Sequence, residues 1–228
     1  MLKAIIFDVD GTLAETEELH RACFNTVFKQ FGFNWNWNVG IYRKLLTTTG
    51  GKERIARYVN EVNATLAPDV ILAMHKAKNE YYAKAIKEGG LSLRPGIHDV
   101  ISQAIQQKIK LGIATTTSKS NLDALLQSCF SEAERLGFGA IICGENVSRK
   151  KPDPEAYLKC LAQLAVQPDE ALAIEDSAVG LAAAKAAHLP TIITPSAYTL
   201  ADNFSGALAV FPDLSGGLEQ IFARFNTT

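Results

Sequence analysis

The sequence predicts an α/β protein in which a parallel sheet carries helices on both faces and a helical insertion follows the first strand. The first observation is a short apolar segment at residues 3–8, which is typical of a buried strand. The second is that residues 15–88 show almost no strand pattern. The third is that strands and helices alternate after Leu91, as they do in parallel sheets. We therefore expect a core domain of residues 1–14 and 91–228 and a helical cap domain of residues 15–90.

The insertion is predicted to be entirely helical. Its first helix has apolar residues at a spacing of three and four, which is the helical period. An aromatic and asparagine-rich connector follows at residues 33–38, and residues 47–52 form a turn. Gly89 and Gly90 close the insertion. The predicted helices lie at residues 17–31, 41–46, 53–62 and 70–87.

The remainder of the chain is predicted to supply the rest of the sheet. Pro95 and Gly96 open a helix at residues 97–107. After it, short runs rich in Ile, Val, Ala and Leu are separated by helical segments. The predicted strands lie near residues 111–116, 140–143, 171–175, 191–194 and 208–211, and the predicted helices near 120–128, 154–165, 178–187 and 215–225.

Bulk composition excludes several classes of function. The chain has 228 residues, 47% of them hydrophobic, and a net charge of −1, so no basic surface predicts nucleic acid binding. No apolar run approaches the roughly 18 residues of a membrane span, and the chain enters its first strand at once, without a basic segment or an apolar signal core, so we expect no targeting signal. The four cysteines form no C-x-x-C motif, which argues against a zinc site and for a reducing compartment. We expect a cytoplasmic monomer that acts on a small molecule.

Two carboxylates, Asp8 and Asp10, follow the first strand where it should end. Gly11 and Thr12 come next and suit a sharp turn. Buried carboxylates are costly unless a cation or a shared proton compensates them. One carboxylate can attack phosphorus while the other transfers a proton, with a divalent metal ion neutralising the site. A surface strand that ends in an acidic turn is the less favoured alternative.

Three further polar motifs follow predicted strands or connect them. Thr115, Thr116 and Thr117 end the strand near 111–116, and we align Thr116 with a phosphate-binding hydroxyl, although the choice among the three is open. Lys151 precedes Pro152 and is favoured over its neighbour Lys150 as the second phosphate ligand. Glu175 and Asp176 stand at the end of the predicted strand near residues 171–175. Because the carboxyl ends of parallel strands meet at one edge of the sheet, we expect these groups to form a single site.

In this order, and with strand-like flanks, the four motifs resemble those of the haloacid dehalogenase-like (HAD) phosphohydrolases. The resemblance implies a Rossmann-like core with an inserted helical C1 cap. It also implies phosphoryl transfer through an aspartyl phosphate, in which Asp8 attacks phosphorus and Asp10 acts as the general acid and base. Thr116 and Lys151 would bind the phosphate oxygens. The implied cofactor is Mg²⁺, with protein ligands Asp8, the backbone carbonyl of Asp10, Asp176, and Glu175 either directly or through water.

A second anion site is predicted in the cap, at residues 47–54. Backbone amides at Gly50 and Gly51, together with Lys52 and Arg54, could bind a distal phosphate. The segment is not a P-loop, because Glu53 stands where that motif has Ser or Thr. The alternative is an ordinary helix start with solvated charges. The residues expected to bind substrate are Glu17, His20, Tyr42, Thr49, Gly50, Gly51, Lys52, Arg54, Thr116, Thr117 and Lys151; Arg43, His75 and Lys78 are further polar cap residues that could face the site.

Residues 7–20, which lead from the first strand into the cap, and residues 45–57 of the cap resemble the corresponding segments of the CbbY-type sugar phosphatases, within the β-phosphoglucomutase-like subgroup. The resemblance implies a Mg²⁺-dependent phosphatase that converts xylulose 1,5-bisphosphate to xylulose 5-phosphate. His20 matches the subgroup in its offset from Asp10, and whether it takes part in catalysis is left open. A phosphosugar mutase is the nearest alternative function. A signalling receiver domain is a remote one, because such domains carry the acidic pair on the first strand and have no helical cap.

Overall fold

The computed structural model describes residues 1–89 and 91–226, and in these residues one six-stranded parallel sheet has the order β3-β2-β1-β4-β5-β6. This architecture confirms the predicted α/β class. The strands are β1 (Ala4–Phe7), β2 (Lys110–Ala114), β3 (Phe138–Ile142), β4 (Ala171–Glu175), β5 (Thr191–Ile193) and β6 (Ala209–Val210). The helices are α1 (Glu17–Gln30), α2 (Val39–Leu45), α3 (Gly51–Glu61), α4 (Pro68–Lys87), α5 (Ile97–Gln106), α6 (Lys119–Cys129), α7 (Glu132–Gly137), α8 (Glu155–Leu164), α9 (Ala178–Ala186) and α10 (Gly217–Phe225).

The central strand β1 is buried on both faces, which explains its continuous apolar run. Because side chains alternate along a strand, Ile5 and Phe7 join one apolar cluster. Ala4 and Ile6 join another on the opposite face. The first cluster includes residues of α5, α6 and α10, and the second includes residues of α8 and α9. The sheet is therefore covered by helices on both sides, and only its edges and strand ends remain for polar chemistry.

The insertion formed by α1–α4, called the cap below, has an apolar cluster of its own. Trp37 is fully buried there and packs against Phe24 and Phe28. The two chain segments that join the cap to the sheet lie side by side, since Ala14 and Leu93 form an antiparallel bridge. Gly90, which the sequence predicts as the end of the cap, lies outside the described residues.

The cap is not packed independently of the sheet. Tyr82 and Ile86 from the second half of α4 belong to the apolar cluster that α5, α6 and α10 share with the sheet.

None of the helices in residues 1–89 and 91–226 is long and apolar enough to cross a membrane.

Some element boundaries differ from the sequence prediction. Strand β2 ends at Ala114 rather than 116, and α3 begins at Gly51 rather than 53. Helix α7 was not predicted from periodicity because it is only six residues long. Its start is nevertheless visible in the sequence, since Ser131 and Glu134 form a reciprocal capping box.

Candidate active site

The polar motifs meet at the carboxyl edge of the three central strands. Strand order β2-β1-β4 brings the segments after Ala114, after Phe7 and at Glu175 next to one another. The chain turns sharply after β1 at Gly11, which has a φ of +82°. A Cβ on Gly11 would lie 2.3 Å from Asp176 Oδ2, so this turn needs glycine both for its backbone conformation and for its contact with the acidic pair.

Lys151 joins two of the acidic groups. Its Nζ donates to Asp8 Oδ1 and to Glu175 Oε1, both at 2.6 Å, and its side chain is 4% exposed. Tyr157 of α8 donates to the same Glu175 oxygen at 2.7 Å. Burial would lower the pKa of Lys151, but Asp8 and Glu175 outweigh it and raise that pKa. Lys151 is therefore a fixed positive charge beside the predicted nucleophile.

One ammonium group does not neutralise the whole site. Burial raises the pKa of Asp8 to about 8 even though Lys151 opposes the shift. Burial and the neighbouring charges of Glu175 and Asp8 raise the pKa of Asp176 well above its usual value. The Thr199 hydroxyl donates to the Asp176 carbonyl at 2.7 Å and lies 3.2 Å from Asp176 Oδ2. This excess of buried carboxylate calls for a further cation if all three groups are to be ionised together.

The same three carboxylates fit a divalent metal ion. Asp8, Glu175 and Asp176 each offer an oxygen, and these atoms lie within 4.8 Å of one another. Such an all-oxygen set is the donor chemistry that Mg²⁺ and Ca²⁺ prefer. Both carboxylate oxygens of Glu175 already accept hydrogen bonds. Its Oε1 accepts from Lys151 and Tyr157, and its Oε2 accepts from the Asp176 amide at 3.2 Å. Asp8 and Asp176 are thus the better candidates for direct ligation.

Asp10 belongs to a different hydrogen-bond chain, which reaches into the cap. Its Oδ1 accepts from Thr16 Oγ1 at 2.6 Å and lies 3.0 Å from His20 Nε2. On the other side of the ring, the Lys78 ammonium of α4 donates to His20 Nδ1 at 2.6 Å. Burial would raise the pKa of Asp10, but His20 and Thr16 outweigh it and hold that pKa below its usual value. Burial lowers the pKa of Lys78 to about 8.

Three neighbouring threonines after β2 are candidates for the phosphate-binding hydroxyl. Thr115 is buried, and its hydroxyl accepts from the amide of Thr117 at 3.1 Å. Thr116 and Thr117 are half-buried, and all three threonines line the cavity above the sheet edge. The Thr115 hydroxyl accepts one hydrogen bond in the turn and keeps its own proton to donate, so this contact does not decide among the three, and the assignment of Thr116 stays a prediction.

The cap contributes a second polar region to the same cavity, which has a volume of about 860 Å³. Tyr42 donates to Glu17 Oε2 at 2.6 Å and accepts from Arg54 Nη1 at 2.8 Å. Arg54 is only 9% exposed. Lys52, by contrast, is exposed, and its side chain makes no hydrogen bond with the described part of the chain. The two cations predicted to bind a distal phosphate therefore differ. Arg54 is part of the pocket wall, whereas the ammonium group of Lys52 is exposed and available to a ligand.

The start of α3 lies beside Lys52 at this end of the cavity. Gly50 has no side chain to cap the helix, and first-turn amides have no partner within a helix. The ring of His75, from α4, packs against Gly51. Burial and the nearby charges of Lys78, Lys52 and Lys150 lower the pKa of His75 to about 3. The first-turn amides and the surrounding cations suit an anion at this end of the cavity, where the carboxylate of Glu53 already lies over Gly50.

Sequence reasoning missed Tyr157 and Thr199, which hold Glu175 and Asp176 from distant helical and loop segments. Neither residue lies in a recognisable motif, so no local signal could have identified it. Lys78 was noted only as a polar cap residue. Its position at helical spacing from Met74 and Tyr82, on the buried face of α4, is the signal that could have marked it.

Comparison with known proteins places this geometry in context. A family model described as haloacid dehalogenase-like hydrolase matches residues 5–194. Protein CbbY of Cereibacter sphaeroides is 48% identical over 219 residues, covering 95% of this chain and 95% of that protein.

The solved structures agree with that comparison. CbbY from Rhodobacter sphaeroides in complex with phosphate matches with a TM-score of 0.92 at 47% identity, covering 96% of this chain and 98% of the other. The same values hold for a mutant of that CbbY in complex with xylulose 1,5-bisphosphate. A β-phosphoglucomutase from Clostridium difficile matches with a TM-score of 0.84 at 23% identity, covering 100% of this chain and 98% of the other, which is a likeness of fold alone.

Proposed function

Because the chain belongs to the haloacid dehalogenase-like hydrolase family, we propose that this phosphatase is Mg²⁺-dependent and removes the 1-phosphate of a pentulose bisphosphate. The proposed substrate is xylulose 1,5-bisphosphate, and the product is xylulose 5-phosphate. The family resemblance inferred from the four motifs is confirmed. The metal, the sugar and the role of each residue belong to the proposal.

The observation that supports a bisphosphate is that one cavity is lined by both Lys151 of the core and Lys52 of the cap. The core end has the carboxylate Asp8 and a fixed ammonium group. The cap end has a free ammonium group and the start of α3. A ligand with an anion at each end would satisfy both regions, whereas a monophosphate would leave one of them unpaired.

The core residues suit hydrolysis through a covalent intermediate. Asp8 would attack phosphorus in line, and Lys151, which already contacts it, would bind a phosphate oxygen. Asp10 would protonate the leaving sugar oxygen and then deprotonate the attacking water, and His20 would hold its carboxyl group in place. A bound Mg²⁺ would supply charge neutralisation for the phosphate and for the carboxylates of Asp8 and Asp176.

The relatives support the choice of sugar. A CbbY structure at 47% identity was solved with xylulose 1,5-bisphosphate. Its match extends over 96% of this chain, so the cap, where a substrate would be selected, is included. That this chain binds the same sugar bisphosphate is part of the proposal.

The test is a screen for release of inorganic phosphate from sugar monophosphates and bisphosphates in the presence of Mg²⁺. We expect xylulose 1,5-bisphosphate to have the highest kcat/KM and to lose one equivalent of phosphate. Asp8→Asn is the matched control, since an amide cannot act as this nucleophile, and it should abolish turnover. Phosphate release by Asp8→Asn within tenfold of wild type would refute the catalytic assignment. Isomerisation of a sugar phosphate without phosphate release would show a mutase instead.

A further inference from the structure

Two side-chain contacts join the cap to the segment that carries Lys151. Thr49 Oγ1 donates to the Lys151 carbonyl at 2.6 Å. Lys150 Nζ donates to Glu53 Oε1 at 2.7 Å. The cap residues lie on either side of the α3 start, and the core residues are adjacent in the chain. The N-terminal end of α3, together with the residue pair that precedes it, is therefore attached to both lysine residues of the core loop.

The neighbours Lys150 and Lys151 point in different directions. The side chain of Lys151 is 4% exposed and contacts Asp8 and Glu175 in the core. The side chain of Lys150 reaches the cap instead and contacts Glu53. Because one backbone segment carries both, a displacement of Lys150 toward or away from the cap must also move the backbone from which Lys151 extends.

The cap side of this contact is closely packed around Gly50. A Cβ on Gly50 would lie 2.2 Å from Glu53 Oε2 and 2.3 Å from Lys150 Nζ. The backbone there has a φ of +92°, which residues with a side chain rarely adopt. The ion pair thus passes directly over the glycine whose neighbouring amides form the cap end of the substrate cavity. The ion pair and the cap end of the cavity therefore lie side by side.

We propose that Glu53 and Lys150 are positioning residues: their ion pair docks the cap onto the core loop and so holds Lys151 between Asp8 and Glu175 during turnover. The identity of the substrate rests on the proposed function above, but the docking itself does not. Neither residue touches the reacting atoms. The pair is partly exposed, at 21% and 43% of the two side chains, so it contributes little to the stability of the whole chain. Its effect should appear in the rate constants of catalysis.

The experiment is a charge-reversal cycle with Glu53→Lys, Lys150→Glu and the double variant that carries both. The readouts are kcat and KM on xylulose 1,5-bisphosphate and on p-nitrophenyl phosphate, together with Tm. Each single reversal replaces attraction by repulsion and should lower kcat about three- to tenfold, since a partly exposed pair is a modest interaction. The double reversal restores attraction and should recover most of the loss.

The matched control is Arg149→Glu. Arg149 lies in the same loop, but it pairs with Asp153 of that loop and not with the cap. We expect its kcat to stay within about twofold of wild type, because surface pairs of this kind are worth little. The Tm of all variants should remain close to that of wild type.

Two results would overturn the docking role. One is a double reversal no faster than the single reversals, because the two charges would then act separately. The other is single reversals that match wild type in kcat. If wild type turns over p-nitrophenyl phosphate but not xylulose 1,5-bisphosphate, the proposed substrate fails, and the same cycle on p-nitrophenyl phosphate still decides the docking role.

Discussion

Replacing Lys52 and Arg54 one at a time should separate two roles that the sequence assigns jointly to the cap segment. Lys52 is exposed and has no hydrogen bond with described residues, so its charge is available to a ligand. Arg54 is buried and already bonded to the Tyr42 hydroxyl at 2.8 Å. Its guanidinium lies 4.0 Å from Glu17. We expect Lys52→Met to affect binding of the distal phosphate alone, and Arg54→Met to affect the pocket wall and the stability of the fold.

The magnitudes follow from burial. A charge-assisted contact is worth about 1.5–3 kcal/mol, and the lower end applies to Lys52 because solvent screens an exposed side chain. About 1.5 kcal/mol is roughly a tenfold loss in kcat/KM. Breaking a buried pair costs about 3–5 kcal/mol, and we expect about 3 for Arg54→Met because Tyr42 still donates to Glu17. For a chain of this size, that lowers Tm by roughly 6–12 °C.

The assay compares xylulose 1,5-bisphosphate with p-nitrophenyl phosphate, which has no distal phosphate, and measures unfolding of each variant. Lys52→Met should lose about tenfold in kcat/KM on the bisphosphate, keep its activity on the small ester and unfold like wild type. Arg54→Met should lose activity on both substrates and unfold earlier. Equal losses on both substrates for Lys52→Met would refute the distal-phosphate role of that residue, and wild-type stability in Arg54→Met would refute its role in the pocket wall.

Three further predictions concern the core and the charge of the cap. Asp10→Asn should bind metal yet lose about 10²–10⁴-fold in kcat; single-turnover kinetics would check this, and a nearly active variant would remove Asp10 as the acid and base. Excess chelator should stop turnover and Mg²⁺ should restore it, whereas Ca²⁺ should bind and inhibit because its looser coordination disturbs in-line geometry; full activity in chelator would contradict the site. His75, whose pKa burial and Lys78 lower to about 3, should stay neutral under mildly acidic conditions in ring NMR spectra. Its pKa when unfolded is higher, so acidification below 6.5 should destabilise wild type more than His75→Gln, and an unshifted titration would exclude this effect.

The sheet and the position of the site were predictable because their signals are local. Strand β1 is an uninterrupted apolar run followed by Asp8 and Asp10, and β4 repeats the arrangement with Glu175 and Asp176. Parallel strands bring their carboxyl ends to one edge of the sheet, so residues that follow different strands can be predicted to lie close together in space. The choice of Lys151 over Lys150 also came from a local signal, the following proline, although its role in phosphate binding stays a prediction.

The hydrogen bonds between the cap and the core were not predictable in this way. The offset of His20 from Asp10 marked it only through the family resemblance. The fold alone shows that His20 connects Asp10 to Lys78, which lies 58 residues after His20 in the chain. Thr199 is 23 residues from Asp176, its partner in the core. Such contacts depend on how helices and loops cross above the sheet, and a single sequence contains no periodic or motif signal for that crossing.

The different contacts of Lys150 and Lys151 show what a sequence motif leaves out. A motif identifies the residue type that the chemistry requires, and here that residue is the buried ammonium beside Asp8. Contacts with Asp8 and Glu175 hold the Lys151 side chain in one rotamer, and the backbone from which it extends sets where its ammonium group can reach. The fixed point comes from outside the core motifs, through Thr49 on the Lys151 carbonyl and Glu53 on Lys150. Under the proposed docking role, the cap end of the cavity and the charge beside Asp8 are linked through one short segment of backbone, and a change to either end of that segment should alter both.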